Sequence, residues 1–389
     1  MQKTYKVVLF VESSRASGRD LLRGVARYAH HHGPWSFYWE PGGLESSWPK
    51  LKTLDADGII LRDVGRYKAQ LPTLGIPAVV VGHREREVRG LVNVVTNSLR
   101  VGQMAADHLM RCGFKHFAFC GLASSALEQA PWSNERGAAF QQHLIAAGFA
   151  APPAFVLRDA VVNWRTSRRR MADWLAKLPR PVGILACNDD CGAQIAEACK
   201  LAGLTVPDAV GIVGVDNDEV VCGLADPPMT SIALNFEQAG YESAQALEAM
   251  MRKAKTLPFL IKVPATHLVA RRSTDVVAVE DPPVAKALRY IRDHARSSFS
   301  VNDVARQSGV SRRVLEGKFR RGIGSSILHH IREIRTTEMA RLLVETSWPV
   351  SKIADTLGYA DERHFARYFQ SGKKMTPVAF RKKFGRHSA

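Results

Sequence analysis

The sequence predicts a two-lobed α/β region followed by an all-helical domain that carries two helix-turn-helix motifs. Three observations predict this fold class. Short apolar runs alternate with helical stretches over roughly the first 275 residues. The last quarter of the 389-residue chain carries most of the positive charge, and one helical pattern occurs twice within it. Repeated strand–helix units are typical of parallel sheets covered by helices, and the length is sufficient for two such sheets.

The first part of the chain alternates short buried strands with helices. The apolar run 5–11 predicts a strand buried on both faces, and the stretch 18–31 predicts the helix that follows it. Five further strands are predicted at 58–61, 77–81, 116–120, 183–187 and 210–215. Four further helices are predicted at 99–112, 135–147, 166–178 and 189–202. These units predict doubly wound parallel sheets in two lobes.

The positive charge is concentrated in the carboxyl-terminal quarter. Residues 1–283 contain 32 Lys and Arg against 28 Asp and Glu, whereas residues 284–389 contain 22 against 9. A basic module of this kind indicates a polyanionic partner. No apolar stretch approaches the roughly 18 residues of a membrane span, and the six cysteines form no CxxC pair, so we expect a cytoplasmic protein with reduced thiols and no membrane partner.

A linker is predicted at residues 278–283, which divides the chain into domains 1–277 and 284–389. Its end, Glu280-Asp281-Pro282-Pro283, places two prolines after two carboxylates, and prolines do not continue a helix or a central strand. Beyond the linker, Ser300 is a suitable N-cap for a helix that starts at Val301.

The pattern after Ser300 is that of a helix-turn-helix, and it occurs twice. In the first copy Gly309 suits the turn between two short helices, while Leu315 and Phe319 bury one face of the second helix. The second copy repeats this order with Ile353, Ala354, Gly358, Phe365 and Phe369. Residues 325–345 between the copies predict a connecting helix, and about 20 helical residues span about 30 Å, close to one turn of DNA. An internal duplication is more specific than either copy alone.

Burial of the apolar residues turns a polar face of each second helix outward. Arginine reads guanine and glutamate accepts from cytosine, so we expect these outward side chains to read bases. They are Arg312, Arg313, Glu316, Glu362, Arg363 and Arg367. Other cations are expected to contact phosphates, which gives affinity without sequence information. They are Arg320, Arg321, Lys373, Lys374 and Arg381.

Residues 284–389 resemble the DNA-binding domain of the AraC/XylS family of bacterial transcription regulators. The resemblance rests on V-A-x3-G-V-S in the first copy, I-A-x3-G-Y and F-x3-F in the second, and T-P-x2-F-R near the end. It implies double-stranded DNA as the partner and base contacts by Arg313, Glu316, Glu362, Arg363 and Arg367. Two residues depart from the family pattern. Gly317 stands where a longer polar residue is usual, and Lys374 stands where a glycine usually ends the helix.

The α/β region has no recognisable catalytic motif, since it lacks a phosphate-binding loop, a nucleophile elbow and a zinc-protease motif. Polar residues instead follow three predicted strands, at the strand ends where open α/β sheets bind ligands. They are Glu12, Ser13 and Ser14, then Asn188, Asp189 and Asp190, then Asp216 and Asn217. Carboxylates with an arginine and an indole are suited to a neutral polyol. We therefore expect no enzyme activity, no metal site and no cofactor.

Residues 5–275 are similar to the periplasmic-binding-protein-like sensor of LacI/GalR regulators. The similarity rests on Asn134-Glu135-Arg136, on Asn188-Asp189 at the start of a helix, and on Val213-Gly214-Val215-Asp216-Asn217. It implies effector binding by Arg136, by Asn188 or Asp189, and by Asp216, with Trp164 covering the ligand. Leu234 stands where a polar effector contact is common.

The combination of these two domains resembles the xylose operon regulator family. Stretches such as Asn163-Trp164 and Met171-Ala172-Asp173-Trp174-Leu175 match it as well. The resemblance implies D-xylose as the effector, a homodimer and transcriptional activation, and an activator is expected to contact RNA polymerase. Three alternatives remain open at this point: another pentose, a hexose or a non-sugar effector; an α/β enzyme with a DNA-targeting tail; and a sensor that has lost its ligand and only dimerises.

Overall fold

Two six-stranded sheets form the α/β region, and helices alone form the rest of the chain. The structure is a computed structural model that describes residues 3–41, 55–62, 75–82, 91–123, 131–157, 164–254, 258–275, 279 and 281–385, and the side chain of Trp164 lies outside this part. Within these residues the predicted two-lobed α/β region and helical domain are confirmed.

The first sheet forms the first lobe and is parallel throughout. Its strands are β1 (Tyr5–Phe10), β2 (Trp35–Trp39), β3 (Gly58–Arg62), β4 (Ala78–Val81), β5 (Leu91–Thr96) and β11 (Leu260–Val263). They lie in the order β11-β5-β4-β3-β1-β2. The inner strands are runs of Val, Ile and Leu because both faces of the sheet are covered.

The second sheet forms the second lobe and has one antiparallel edge. Its strands are β6 (His116–Leu122), β7 (Ala154–Leu157), β8 (Val182–Ala186), β9 (Val210–Asp216), β10 (Thr230–Leu234) and β12 (Ala265–Val269). They lie in the order β12-β10-β9-β8-β6-β7, and β12 runs antiparallel to β10. Leu234, the departure from the sensor pattern, is buried at the end of β10.

Helices cover the two sheets and include those predicted from periodicity. They are α1 (Ala16–His32), α2 (Ser98–Arg111), α3 (Pro131–Ala146), α4 (Trp164–Ala176), α5 (Asp189–Leu201), α6 (Glu219–Leu224) and α7 (Phe236–Met251). A short 3-10 turn, Arg272–Thr274, follows β12. The long helix α7 was not predicted, and it packs against α1 in the first lobe.

The chain crosses between the lobes three times within the described residues: after β5, after β10 and after β11. The crossings are tied together by backbone hydrogen bonds from Asn97 N to Val263 O (3.0 Å) and from Asn235 N to Pro264 O (3.0 Å). Asn97 also caps α2 and Asn235 caps α7, each with its side-chain oxygen. Three adjacent crossings form a hinge beside the carboxyl ends of the parallel strands.

The helical domain contains the predicted duplication. Its helices are α8 (Pro282–Asp293), α9 (Val301–Ser308), α10 (Arg312–Ile323), α11 (Ile327–Glu345), α12 (Val350–Thr356), α13 (Glu362–Lys373) and α14 (Pro377–Phe384). Ser300 caps α9 in a reciprocal capping box with Asp303, as local sequence favours. Leu315 and Phe319 are buried in the first motif, and Phe365 and Phe369 in the second.

The predicted linker extended too far, because α8 begins at Pro282 and not after residue 283. Asp281 is the N-cap of α8, and its side chain accepts from Val284 N (3.3 Å). Proline is tolerated in the first turn of a helix, where its missing N–H has no helical partner to lose. Asp281 also forms an ion pair with Lys318 Nζ (2.7 Å), which attaches the end of the linker to α10.

The two second helices end in the same left-handed conformation but with different residues. Gly324 follows α10 with φ +80°, and Lys374 follows α13 with φ +57°. Each donates its backbone N–H to the carbonyl four residues earlier. The C-cap that the sequence left in doubt is therefore present, with a non-glycine residue in a conformation that favours glycine.

The helical domain is packed against the second sheet along β12 and α11. His267 of β12 is buried and forms an ion pair with Glu345 of α11, 3.0 Å from Nε2 to Oε1. Burial alone would raise the pKa of Glu345, but the imidazole of His267 and the guanidinium of Arg341 bring it down to about 2. The side-chain amide of Asn235 also donates to the Phe384 carbonyl at the end of α14, at 2.8 Å.

Replacing Lys374 by glycine is expected to stabilise the helical domain. Lys374→Gly removes the Cβ that disfavours positive φ, which raises the free energy of unfolding. The increase is limited to about 0.5–1 kcal/mol because glycine also gives the unfolded chain more conformational freedom. Gly324→Ala at the matching position is expected to cost a similar amount. Urea unfolding of the full chain without DNA measures both changes, and destabilisation by Lys374→Gly would contradict the assignment of strain to this cap.

Candidate effector cleft and DNA interface

A cleft of about 360 Å³ opens between the two lobes at the carboxyl ends of their strands. The first lobe contributes residues after β1, at the end of β3 and on β5, while the second contributes residues from α3, α5 and the end of β9. Phe236 and Val263 of the crossings line the cleft as well. Its volume lies within the ~300–1,000 Å³ typical of small-molecule sites, so the cleft is large enough for a monosaccharide.

The first lobe presents Glu12, Arg15, Ser17 and Arg62 to the cleft. Arg62 lies at the end of β3 and donates to Ser17 Oγ (3.2 Å), while its Nε has no hydrogen-bond partner among the described residues. Burial lowers the pKa of Arg62, and the carboxylates of Asp216 and Glu12 oppose that shift. A buried donor without a partner points to a polar ligand or water in the cleft.

The second lobe presents a buried arginine, Arg136, which is 2% exposed. It donates to the Cys187 carbonyl, lies 3.7 Å from Asp216 Oδ1, and stacks over the ring of Trp132 with 4.6 Å to the centroid. Its Nε also has no partner within the described part of the chain. Together, Arg136 and Arg62 place two incompletely bonded guanidinium groups on opposite walls of the cleft.

Asp216 stands at the end of β9 in a conformation that side chains rarely adopt. Its φ is +104°, and Asn217 after it has φ +52°. Burial raises the pKa of Asp216, and the guanidinium groups of Arg136 and Arg62 counteract this. Strained residues are characteristic of binding sites, where the surrounding structure holds them in place. An aspartate held between two arginines is able to accept hydrogen bonds from the hydroxyls of a polyol.

The structure separates Asn188 and Asp189, which the sequence offered as alternatives. Asn188 lines the cleft and caps α5, and Asp190 lines the cleft and forms an ion pair with Arg15 of the other lobe (2.8 Å). Asp189 turns away from the cleft, accepting from Asp218 N (2.7 Å) and from Ser231 Oγ (2.6 Å). Burial, followed by the nearby Asp216 charge, raises the pKa of Asp189 to about 8.

Gly214 leaves the room that Asp189 occupies. A Cβ at residue 214 would lie 2.3 Å from Asp189 Oδ1, so the glycine of the V-G-V-D-N stretch and this carboxylate belong to one packing arrangement. The predicted effector contact by Asp189 is therefore wrong for this structure. A buried carboxylate joining two segments of the second lobe is a structural element.

Ser13 and Ser14, also predicted as effector contacts, do not line the cleft. Ser14 is exposed and its hydroxyl donates to Glu12, while the Ser13 carbonyl accepts from Arg19 (2.9 Å). They orient the turn between β1 and α1, so of this group only Glu12 reaches the cleft. The predicted contact by Trp164 falls on a side chain outside the described residues.

Several cleft residues were missed by sequence reasoning: Arg15, Ser17, Arg62, Trp132 and Phe236. A signal existed for Arg62, since it directly follows the predicted strand 58–61. A signal existed for Trp132 as well, because it precedes Arg136 by one helical turn and shares its face. The cover by Phe236 depends on a crossing between lobes, which local sequence does not reveal.

The predicted DNA-reading side chains lie on exposed faces of α10 and α13. Arg312, Arg313 and Glu316 are exposed on α10, and Arg312 Nε pairs with Glu316 Oε1 at 2.8 Å. On α13 the exposed residues are Glu362, Arg363 and Arg367. Apolar residues of the same helices face inward, so each helix presents a polar surface that DNA is able to reach.

The predicted phosphate contacts fall into two groups. Arg320, Arg321 and Lys374 are exposed. Lys373 is half-buried beside α2 and β12, and burial lowers its pKa. Arg381 is half-buried too, and its Nε donates to the Leu343 carbonyl (3.3 Å). In this arrangement Lys373 and Arg381 pack within the protein, so their contact with phosphate stays a prediction that requires both side chains to become accessible.

All six cysteines are free, and Cys187, Cys191 and Cys199 are buried. In the part of the chain that the structure describes, no group of three His, Cys, Asp or Glu side chains is placed to hold a metal ion. Across the same residues, no helix has both the length and the apolar character needed to cross a bilayer.

Two family models match the chain in the places where the structure shows its two parts. Residues 106–274 match a periplasmic binding protein-like domain, and residues 304–383 match a helix-turn-helix domain. These matches join a ligand-binding fold to a DNA-binding fold. The resemblance to both domain families inferred from sequence motifs is confirmed.

Whole-chain relatives combine the same two domains. The xylose operon regulatory protein of Escherichia coli (strain K12) is 28% identical over 384 residues, 97% of each chain. The protein of the same name from Haemophilus influenzae is 26% identical and covers 98% of this chain and 99% of that one. A solved structure described as the xylose-binding transcription activator xylR is 27% identical, has a TM-score of 0.62 and covers 99% of both chains.

Adjacent aspartates give a direct test of the cleft geometry. Asp189→Ala is expected to lower the free energy of unfolding by about 2–3 kcal/mol, because it leaves the Asp218 N–H and the Ser231 hydroxyl without their acceptor. Asp190→Ala is expected to change it by less than about 0.5 kcal/mol, because its ion pair with Arg15 is exposed. Urea unfolding measures both. Equal stability of the two variants would contradict the structural role of Asp189.

Proposed function

We propose that D-xylose is the effector bound in the interlobe cleft of this chain. The premise is that the chain belongs with the xylose operon regulatory proteins and is a DNA-binding transcription regulator rather than an enzyme. The observation that carries the proposal is a pair of arginines, half-buried Arg62 and buried Arg136, whose buried Nε atoms are unbonded within the described residues. The carboxylate of Asp216 interacts with both guanidinium groups. A neutral polyol supplies both acceptors and donors to such a set.

The cleft chemistry supports a sugar. Glu12, Asn188 and Asp216 offer oxygens to hydroxyl groups, and the indole of Trp132 offers a flat apolar surface to the C–H face of a ring. The cleft is also lined by Val81, Val94 and Phe236, which exclude water from the ligand. The names of the whole-chain relatives point to xylose among the sugars.

On the DNA side, we propose that α10 and α13 enter successive major grooves of promoter DNA. Arg312, Arg313, Glu316, Glu362, Arg363 and Arg367 are the proposed base-reading residues. Arg320, Arg321 and Lys374 are the proposed phosphate contacts. Helix α11 has 19 residues, which corresponds to about 28 Å and is comparable to the ~34 Å of one DNA turn. Lys373 reaches phosphate only if the helical domain moves away from the sensor, and Arg381 reaches it only if its side chain leaves the Leu343 carbonyl.

The regulator is further proposed to act as a homodimer in the cytoplasm, activating xylose catabolic genes and contacting RNA polymerase. A dimer brings four reading helices to repeated half-sites, which raises affinity without new contacts in either domain. Sugar changes the affinity for DNA only if it binds the DNA-competent arrangement more tightly, and a tenfold change requires about 1.4 kcal/mol of coupling.

A specific route for that coupling begins at the cleft wall. Phe236 lines the cleft, and the preceding residue, Asn235, donates its side-chain amide to the Phe384 carbonyl of α14. The same side chain accepts from Gln238 N as the cap of α7. Closure of the lobes around a sugar displaces this crossing, and the hydrogen bond carries the displacement to the second helix-turn-helix.

Isothermal titration with D-xylose, L-arabinose, D-ribose and D-glucose tests the effector. We expect selective binding of D-xylose, and in Asp216→Asn at least tenfold weaker binding, because a hydrogen bond to a charged group contributes about 1.5–3 kcal/mol. Asparagine tolerates positive φ, so the variant changes the charge and keeps the backbone. DNA binding without sugar is expected to stay within twofold of the original.

Asp208→Asn is the matched control for this charge change. Asp208 is exposed and lies just before β9, at the opposite end of the strand from Asp216. It is expected to bind D-xylose normally. Binding of another sugar in place of D-xylose would overturn the effector assignment, and unchanged xylose binding by Asp216→Asn would overturn the site.

Asn235→Asp is expected to uncouple sugar from DNA. Aspartate still caps α7 but has no proton to donate to the Phe384 carbonyl, so one interdomain hydrogen bond is lost. The ratio of DNA affinities with and without D-xylose should change at least threefold, while the Kd for D-xylose stays within threefold. Asn97→Asp makes the same change at another capped crossing and should leave the ratio unchanged. If the ratio of DNA affinities is the same in both variants, Asn235 does not take part in the proposed coupling.

A further inference from the structure

A second cavity, here called the seam cavity, lies between the sensor and the helical domain. Its volume is about 720 Å³, twice that of the effector cleft, and it is within the range of ligand sites. Its walls are the end of α2, strand β12 with the 3-10 turn, and helices α8 and α11. A molecule bound there touches both domains at once.

The lining of the seam cavity has more positive than negative charge. Its cations are Arg111, Arg271, Arg272, Arg292, Arg296 and Arg341, and its acids are Asp275, Asp293 and Glu338. Arg292 pairs with both aspartates, and Arg296 and Arg341 share Glu338. Arg111 and Arg272 form no ion pair with any residue that the structure describes.

Arg111 is the more informative of these two cations because it is half-buried. It lies in the last turn of α2 with His108, lines the seam cavity with His330, and lines a neighbouring cavity with Lys373. Burial and then the charge of Arg111 hold the pKa of both histidines at about 3, so their neutral rings do not add to the charge. A partly buried guanidinium with no ion-paired carboxylate among the described residues is an unfavourable arrangement that an anion would relieve.

His330 provides a second, independent observation. Its side chain is 2% exposed, it lines the seam cavity, and its Nδ1 has no hydrogen-bond partner among the described residues. Buried polar atoms in native proteins are almost always bonded, so an orphaned nitrogen on a cavity wall indicates a missing partner. A hydroxyl or an acid proton of a ligand would supply it.

We propose that the seam cavity is a second ligand site, which takes a small organic anion with a carboxylate or phosphate group. Arg111 and Arg272 bind the charged group, and His330 Nδ1 accepts from a hydroxyl of the ligand. Leu268, Leu288 and Ile334 provide an apolar wall for the rest of the molecule. The site is separate from the sugar cleft and does not depend on the identity of the sugar.

Such a ligand acts on the regulator through the docking of its two domains. Because the ligand contacts both α2 and α11, it binds the docked arrangement more tightly than the separated one and increases its population. The regulator thereby combines two signals, a neutral sugar in the cleft and an anion in the seam cavity.

Isothermal titration of the full chain tests the proposal with citrate, D-ribose 5-phosphate and inorganic phosphate, each against potassium chloride at equal ionic strength. At least one organic anion is expected to bind, and D-ribose is the uncharged comparison for its phosphate ester. Citrate and the phosphate ester distinguish the two charged groups. Binding of inorganic phosphate alone would overturn the requirement for an organic body.

Two variants locate the binding. Arg111→Gln and Arg272→Gln should each weaken binding of the organic anion at least fivefold and leave the Kd for D-xylose unchanged. Arg272 is exposed, so its replacement does not threaten folding. Arg23→Gln, on the exposed side of α1, is the charge-matched control. The double variant Arg313→Gln and Arg363→Gln is a second control, because it loses affinity only for anions that bind the DNA-reading faces.

Three outcomes would overturn the second site. They are the absence of binding by every anion, equal weakening in Arg23→Gln, and loss of anion binding only in the double variant of the reading faces. Each of these leaves D-xylose binding as a separate result, so failure of the seam cavity is distinguishable from failure of the sugar cleft.

Discussion

The packing of α11 on β12 is the constraint on which the arrangement of the whole molecule depends. The first half of α11 contributes to the hydrophobic core of one helix-turn-helix, and its second half contributes to the core of the other. The separation of the reading helices is therefore set by one rigid element. The ion pair of His267 with Glu345 fixes that element to the sensor. A pair of this kind adds little net stability, but its geometry is specific, so it determines how α11 sits on the sensor.

In the effector cleft, by contrast, polar groups are left without some of their hydrogen bonds. The sensor buries the Nε atoms of Arg62 and Arg136 without a hydrogen-bond partner among the described residues, and it holds Asp216 in a strained backbone conformation. Both features cost stability in the empty protein, and a ligand that completes the hydrogen bonds recovers it. In the proposed mechanism, the free energy available for lobe closure therefore comes from groups that the fold leaves unsatisfied. The proposed transfer of that closure to DNA depends on contacts at the crossings, such as Asn235 to Phe384.

Much of the fold could be predicted because its signals are local. The capping box of Ser300 and Asp303 and the spacing of Leu315 and Phe319 are read within one or two helical turns, and the helices they predict are present. Strands β3, β4 and β8 were predicted because burial on both faces produces continuous apolar runs. The linker was extended too far because Pro282 and Pro283 interrupt an established helix but are acceptable in its first turn.

Local sequence patterns are enough to show that the chain joins an α/β ligand-binding region to a duplicated DNA-binding motif, because periodicity, capping and charge are properties of neighbouring residues. Which polar residues share a site could be seen only in the folded protein. Asp189 and Asp190 are adjacent in sequence, yet the first is held inside by Gly214 and Ser231 while the second faces Arg15 across the cleft. Lys373 and Arg381 look like phosphate contacts in the sequence, but the sensor covers Lys373 and α11 of the helical domain itself holds Arg381. These outcomes depend on segments distant in the chain, whose approach is set by the packing of whole elements.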